Sequence, residues 1–463
     1  MSEEIHTKSP ERIEISDWLR KELAAVLNEL HKVQFTERFW GLITEEYVKT
    51  AITRKQLLEK SDANAYVPFL PFNAHAFPGV KTIWREFAKQ TVKAFRGRKV
   101  SKRGMDMLKH ENQFRIGFPE FYGFEKFRAE LGVHLPEMYF HLFRPVDLSL
   151  RRKLNRIAEG IDDNFLKNSV KQLPKLYVEH FRALLNAIPL AEPEKKIFNV
   201  HNIRNFADVF IIAKYIENGA RLFWYQHGSH YGEYRWEYLH HYEHLMADEY
   251  RTWGWKIKEK DRPWNAYRLE KFRKEYSSFE NTGEYSLMLC YPKMYNVYRE
   301  QSVPVTRYLE EHLDFNKFPA IIARPRPQHQ KHGHEAELSF INSEKITVSS
   351  GLEPMAKMVS KSELVIQMSV PSTNFLECIY TGHPVTGMIN NPDPSEIIRP
   401  YYQFFIKTGV LHTDPQSLVN FLNNTDLDSW WSELQDETTY KQFRKTFTGS
   451  KDSETILMNS VDE

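Results

Sequence analysis

The chain has 463 residues, 41% hydrophobic and 27% charged, and a formal net charge of +2. That length makes two or three domains, and the charge balance argues against a dedicated nucleic-acid binder, which carries a basic excess. No run approaches the ~18 apolar residues of a spanning helix, the acidic start MSEEIHTKSPERIEISDWL does not read as a signal peptide, and Cys290 and Cys378 are too few for a disulfide framework.

In chain order, the first half reads as helix and aromatic-rich loop. Ser16 and Asp17 precede Trp18, Leu19, Leu23, Val26, Leu27 and Leu30, the spacing of a capped amphipathic helix. Tyr66–Gly79 holds three prolines and four aromatics and reads as an ordered irregular loop. Lys93–Arg103 has six basic residues and no acid, either a solvated face or a contact for anionic lipid headgroups.

From residue 173 the texture changes. The spacing predicts a helix over 173–185, a strand at 195–200, a helix from Asp208 to about Asn218 closed by Gly219, and a buried strand at 220–225. A further strand is predicted at 247–255. The charged segment 256–264 reads as a surface break.

A second alternating block begins near Tyr285. Strands are predicted at 285–290, 320–324, 346–348, 363–368 and 384–388. Helices fall at 295–313, 353–359 and 374–381, with two more beyond. The tail from about Thr448 is polar and reads as frayed. Alternation of this kind in two blocks predicts an α/β protein with two Rossmann-like domains facing across a cleft, preceded by a helical extension. Cys290 and Cys378 lie in apolar stretches and read as small core residues. A reduced, cytoplasmic setting is expected.

Ligands of open parallel sheets bind outside the carboxyl ends of strands, and three clusters fall at such ends. The first is Gln226, His227, Gly228, Ser229, His230, Tyr231 and Gly232: its glycines allow close backbone approach, and His and Tyr can donate to a sugar or phosphate. A structural turn with satisfied histidines is the alternative. The second is Asp208, either an N-cap or a nucleophile or base. The third joins Ser372 and Thr373, at a predicted helix N-terminus, with Glu377 one turn on and Arg324 and Arg326 on a neighbouring strand end. Together they form an anion site with a ribose acceptor, or else a cap with surface charges.

Of the 19 histidines, His329, His332 and His334, and His240 with His244 at i, i+4, raise the question of zinc. No cysteine companion, His-Glu-x-x-His motif or carboxylate ladder accompanies them, so no metal is expected. Walker A and G-x-G-x-x-G motifs are absent, which disfavours ATP hydrolysis and dinucleotide redox chemistry. Trp430 and Trp431 read as packing residues of a terminal helix.

QHGSHYG followed by YEHLMADEYRTWGW resembles a bacterial family of surface-carbohydrate transferases with a QHGG-x-YG loop and a later WGW strand. SELVIQMSVPSTNFLECIYTGHPV and RPYYQFFIKTGVLHTDPQSLVNFLNN resemble further segments of that family, so the likeness runs over roughly residues 173–445. The pattern is similar to retaining β-Kdo glycosyltransferases of glycosyltransferase family 99. Two departures stand out: Ser229 replaces the second glycine of QHGG, and Ala247 replaces the serine expected before Asp248.

The resemblance implies a GT-B fold, a CMP-activated 3-deoxy-ulosonic acid donor and a covalent carboxylate intermediate. It implies residues 1–284 as the acceptor and catalytic side, with the helical extension to about 170, and residues 285–447 as the nucleotide-sugar domain. Residues 448–463 would be a flexible tail. Asp208 is then the nucleophile and His227 a proton shuttle; Glu243 and Asp248 are second-choice carboxylates, and Glu137 is a candidate acceptor base. Gln226, Gly228, His230, Arg324, Arg326, Ser372, Thr373 and Glu377 would hold the donor. A monophosphate leaving group needs no metal, so the expected partners are a nucleotide-sugar donor and a glycan or lipid-linked acceptor, with no nucleic acid. Lys93–Arg103 would supply peripheral contact at the inner face of the membrane. Alternatives are an inverting transferase, a nucleotide-sugar epimerase, or a non-catalytic glycan-binding protein.

Overall fold

The computed structural model describes residues 10–60, 113–116, 146–201, 203, 206–292, 296–326, 338–391 and 393–449. Glu137, Lys93–Arg103, the Tyr66–Gly79 loop, His329, His332, His334 and the polar tail beyond residue 449 lie outside the described residues. The described chain divides into two compact units, one of residues 10–225 with 241–250, the other of 226–240 with 251–449.

The first unit opens with helices α1 (Pro10–His31) and α2 (Glu37–Lys60). Leu19, Leu23, Leu27 and Leu30 are buried along one face of α1, as their spacing requires. The helix begins earlier than expected, however. Proline fits its first position, while Ser16 lies within it, its Oγ donating to the Arg12 carbonyl at 2.5 Å, and Asp17 pairs with Arg20 at 2.6 Å. Neither residue is a cap. Thr36 does cap α2, its Oγ1 accepting from the Phe39 N–H at 3.1 Å.

After β1 (Gln113–Ile116) come α3 (Leu148–Glu159), α4 (Asn164–Lys171) and α5 (Phe181–Asn186). The helix expected over 173–185 is thus reduced to its last part. Pro174 cannot continue α4, and turns occupy the intervening residues. Phe181 stacks on Trp40 with centroids 4.6 Å apart, tying α5 to α2.

Strands β2 (Ile197–Val200) and β3 (Arg221–Tyr225) flank α6 (Phe206–Glu217). β1, β2 and β3 lie side by side and parallel, with Gln113 opposite Ile197 and Ile197 opposite Arg221. Gly219, at φ +101°, ends α6 as expected. α7 (Tyr238–Met246) leads to β4 (Glu249–Thr252), whose entry is fixed on β3: the Asp248 N–H donates to the Leu222 carbonyl at 2.8 Å.

The strand expected through 247–255 stops at Thr252 because Gly254 takes a positive φ of +107°. The expected surface break contains the short strand β5 (Asp261–Pro263), whose neighbour Trp264 donates its N–H to the Thr252 carbonyl at 2.9 Å. α8 (Tyr267–Tyr276) follows.

The second unit is built on a parallel sheet of β6 (Tyr285–Cys290), β7 (Ile321–Arg324), β8 (Ile346–Val348), β9 (Ser362–Val370), β10 (Val385–Ile389) and β11 (Leu411–His412). Its order is β11-β10-β9-β6-β7-β8. Chain order therefore runs outward from β6 to one edge, then returns to β9 and runs to the other, the doubly wound Rossmann arrangement.

The crossovers are α9 (Asn296–His312), α10 (Met355–Ser360), α11 (Thr373–Thr381) and α12 (Arg399–Lys407), and α13 (Pro415–Asn424), α14 (Leu427–Asp436) and α15 (Thr438–Thr448) close the chain. Four helices thus follow β10, where two were expected. Leu287, Leu289, Ile321, Leu364, Ile366 and Leu418 form the centre of the core. Burial on both faces explains why β9 is mainly apolar over Leu364–Met368, with Gln367 as the polar interruption. Cys290 and Cys378 are free and buried. Among the described residues no helix is long and apolar enough to cross a membrane.

Candidate functional site

The strand order places a topological switch point between β6 and β9, and an open sheet binds ligands there, beyond the carboxyl ends. α11 starts at that point. Ser372 caps it, accepting from the Phe375 N–H at 3.1 Å and donating to Gln367 Oε1 at 3.0 Å. From Gln367 the polar chain runs through Asn374 to Glu377 Oε2, with Asn374 Nδ2 donating at 3.2 Å. Arg268 on α8 holds the other oxygen of Glu377 at 3.3 Å. The free N–H groups of the first turn and the helix dipole make this a place for an anion.

Arg324 ends β7, with β6 between it and β9. It is buried, and its Nη2 donates to the carbonyls of Gly351 and Glu353 at 3.1 and 2.9 Å. Its Nε has no hydrogen-bond partner among the described residues. Burial lowers its pKa, opposed by interactions with Cys290, Glu377 and Glu353, of which only the two carboxylates carry charge at neutral pH. Burial likewise pushes the neighbouring Cys290 thiol up to about 12, so it is an inert neutral group at physiological pH. Arg326, two residues on, is exposed.

The Gln226–Gly232 loop belongs to the same unit as α11. Its Ser229 N–H points to Thr373 Oγ1 at 3.4 Å, which brings the first and third sequence clusters together. Gln226 fixes the start of the loop. Its Nε2 donates to the Gly228 carbonyl at 2.8 Å, its Oε1 accepts from the Trp253 N–H at 2.8 Å, and its own carbonyl accepts from the Trp253 indole at 3.1 Å.

His227 is half-buried, with the Tyr231 hydroxyl 3.1 Å from its Nδ1. His230, also half-buried, lies on the Tyr231 ring at 4.5 Å between centroids. A Cβ at Gly228 would come 2.9 Å from His230 Cε1, so the glycine lets that ring take its present place. Two imidazoles flanking one phenol, beside a helix N-terminus, can donate protons to an anionic ligand and exchange them with it.

A model of the LIC12162 family transferases matches residues 109–460. The chain belongs to that family. No curated protein matches it. Solved structures that align with this LIC12162-family transferase include a proposed UDP-N-acetylglucosamine 2-epimerase from Listeria monocytogenes, at 14% identity over 61% of this chain and 77% of that one, with a TM-score of 0.38. The S. aureus MnaA–UDP co-structure aligns at 12% identity over 76% and 98%, with a TM-score of 0.37. The wall teichoic acid polymerase TagF aligns at 11% over 58% and 73%, with a TM-score of 0.34. At these TM-scores the likenesses carry no functional weight.

The remaining candidates of the LIC12162-family transferase sit in the first unit. Asp208 is buried in the first turn of α6, which starts at Phe206, so the residue is inside the helix rather than its N-cap. Glu243 is buried on α7 and accepts from the Tyr250 hydroxyl at 3.2 Å. Asp248 receives both Arg38 nitrogens at 2.8 and 2.9 Å and the Leu222 N–H at 2.7 Å. Its pKa is lowered, with desolvation, the largest influence, outweighed by the Arg38 bonds, the Leu222 N–H and the charges of Arg38 and Arg221. That geometry joins α2 to the β3–β4 pair.

Sequence reasoning missed Gln367, Asn374, Arg268 and Trp253. Nothing in spacing marks the first three. Trp253 had a signal, since it belongs to the WGW segment that accompanies the loop.

Proposed function

We propose that this LIC12162-family transferase is a GT-B-class glycosyltransferase that moves a 3-deoxy-ulosonic acid residue from a CMP-activated donor to a bacterial surface or lipid-linked glycan, with retention of configuration. The observation that supports it most is the meeting of Ser229 and Thr373: the loop carrying His227 abuts the N-terminus of α11 at the switch point. A nucleoside monophosphate suits that place, with helix N–H groups and Arg324 and Arg326 offering positive charge to the departing phosphate. Glu377 faces the same helix turn and would accept from ribose hydroxyls. Gln226, Gly228 and His230 shape the wall on the donor side.

In this reading the Asp208 carboxylate attacks the anomeric carbon, the bond from that carbon to the phosphate oxygen breaks, and the electron pair leaves with CMP. An acceptor hydroxyl then displaces Asp208 and gives its proton to a base, for which Glu137 is the candidate; His227 is the candidate proton shuttle, with Glu243 in reserve. The chemistry needs no metal, because a single phosphate leaves and fixed cations can stabilise it. Intact-mass spectrometry with donor alone tests the pathway. A mass increase of one sugar residue, lost in Asp208→Asn, is expected; turnover with no adduct on any carboxylate would point to inversion instead.

A further inference from the structure

Glu233 follows the loop directly, and the reaction above makes no use of it. It is 1% exposed and makes no ion pair among the described residues. Its Oε2 lies 2.5 Å from the Tyr402 hydroxyl, while its Oε1 has no hydrogen-bond partner among the described residues. Tyr402, on α12, is buried and also faces the side chain of Asn391. Asn391 Nδ2 donates to the Glu233 carbonyl at 3.0 Å, and Asn391 Oδ1 has no partner among the described residues.

The same stretch is pinned at four more points. Ser395 donates its N–H to the Glu233 carbonyl at 2.9 Å and its hydroxyl to the Gly232 carbonyl at 2.5 Å. The Arg235 N–H donates to the Asp393 carbonyl at 3.2 Å, and the Tyr234 hydroxyl to the Asn390 carbonyl at 3.2 Å.

Burial decides between two states of this carboxyl. An ionised Glu233 would be a buried charge with no cation among the described residues, its Oε1 accepting from no group there. A neutral Glu233 can donate from Oε2 to the Tyr402 oxygen and buries no charge. The closed packing therefore favours the neutral form, and ionisation favours any opening that wets the carboxyl.

We propose that Glu233 is a positioning residue: in its neutral, hydrogen-donating form it locks the Gln226–Tyr234 segment onto residues 390–402, and its ionisation releases that lock. Burial raises its carboxyl to about 8, opposed by the Tyr402 bond. The titratable groups around it are Tyr402 on α12, Tyr234 on its own segment, and His227, His230 and Tyr231 on the loop. The charged groups Arg235 and Glu396 are exposed and Arg399 is half-buried, and they pair among themselves at 3.2 and 3.1 Å. None supplies a cation to Glu233 among the described residues. The lock stands whatever group the enzyme transfers.

Amide hydrogen exchange across pH 6 to 9.5 on the full chain, corrected for intrinsic rates, tests it. Protection of the Gln226–Tyr234 amides, relative to those of β9, should fall about tenfold per pH unit above the transition. Glu233→Gln keeps a donor for Tyr402 without a charge, and should hold its protection flat to pH 9. A flat profile in the unmodified protein overturns the proposal, and this reading needs no variant to fold. The same fall in Glu233→Gln also overturns it.

Discussion

Gly232 lies against Trp255 so closely that a Cβ at position 232 would come 2.6 Å from Cε2 of the indole, and its φ of +78° is one that side chains rarely adopt. The end of the histidine loop is therefore seated on the second tryptophan of the WGW segment, while its start is bonded to the first. Two halves of one sequence signature, 27 positions apart where Gln226 bonds Trp253, are one packing unit.

Gly232→Ala should cost about 2–3 kcal/mol, from the strained φ and the contact with Trp255 together. Gly228→Ala meets only the far end of His230, at 2.9 Å, and that ring can turn. Its cost in stability should stay under about 1 kcal/mol, while activity falls because His230 is displaced. Urea titration beside turnover separates the two: equal destabilisation would refute the distinction.

Gln226→Leu should destabilise by about 1–3 kcal/mol, because the buried Trp253 N–H loses its acceptor. Gln226→Glu keeps that acceptor but sets a carboxylate against the Gly228 carbonyl, so the loop should loosen. Hydrogen exchange at Gly228–Gly232 reads this directly. Unchanged protection in Gln226→Glu would show that the bond to Gly228 has no holding role.

Acid should weaken the protein through three buried histidines. Burial pulls His31, His383 and His412 down from 6.5 to about 4. The unfolded chain takes up these protons near pH 6.5 and the folded chain only near pH 4. Between those limits the unfolded state binds more protons, so stability falls as pH drops from 6.5 toward 4 and is unaffected by these groups above 6.5. Replacing His383 by Gln should flatten its share of the slope. Thermal melts across pH 4 to 8 would contradict this if wild type and His383→Gln ran parallel.

The buried strands of the second unit were legible because each is a short apolar run bounded by turn residues, as in YSLMLC and ELVIQM. Boundaries failed where one residue overrode the pattern: Pro174 broke the helix expected from 173, and Gly254 ended β4 early. Strand order was not legible, since alternation alone does not say on which side of β6 a strand returns. Nor was Glu233, which reads as an ordinary polar turn residue until the buried Tyr402 and Asn391 are seen around it. Lateral partners of this kind lie more than 150 positions away.

The anion site predicts a graded loss. Ser372→Ala removes the cap of α11 and should cost about 1 kcal/mol of stability with a weakening of nucleotide affinity. Arg324→Met should lower that affinity about tenfold or more, through the lost charge near the phosphate. Calorimetric titration with CMP checks both. Affinity untouched by Arg324→Met would place the phosphate elsewhere.

The most direct test of the central claim compares CMP, UDP and GDP in thermal-shift titrations of the full chain, with Ser372→Ala as control. CMP should raise the melting temperature most, and Ser372→Ala should reduce the rise. Stabilisation by UDP or GDP but not CMP, or by none of the three, would contradict a CMP-sugar transferase.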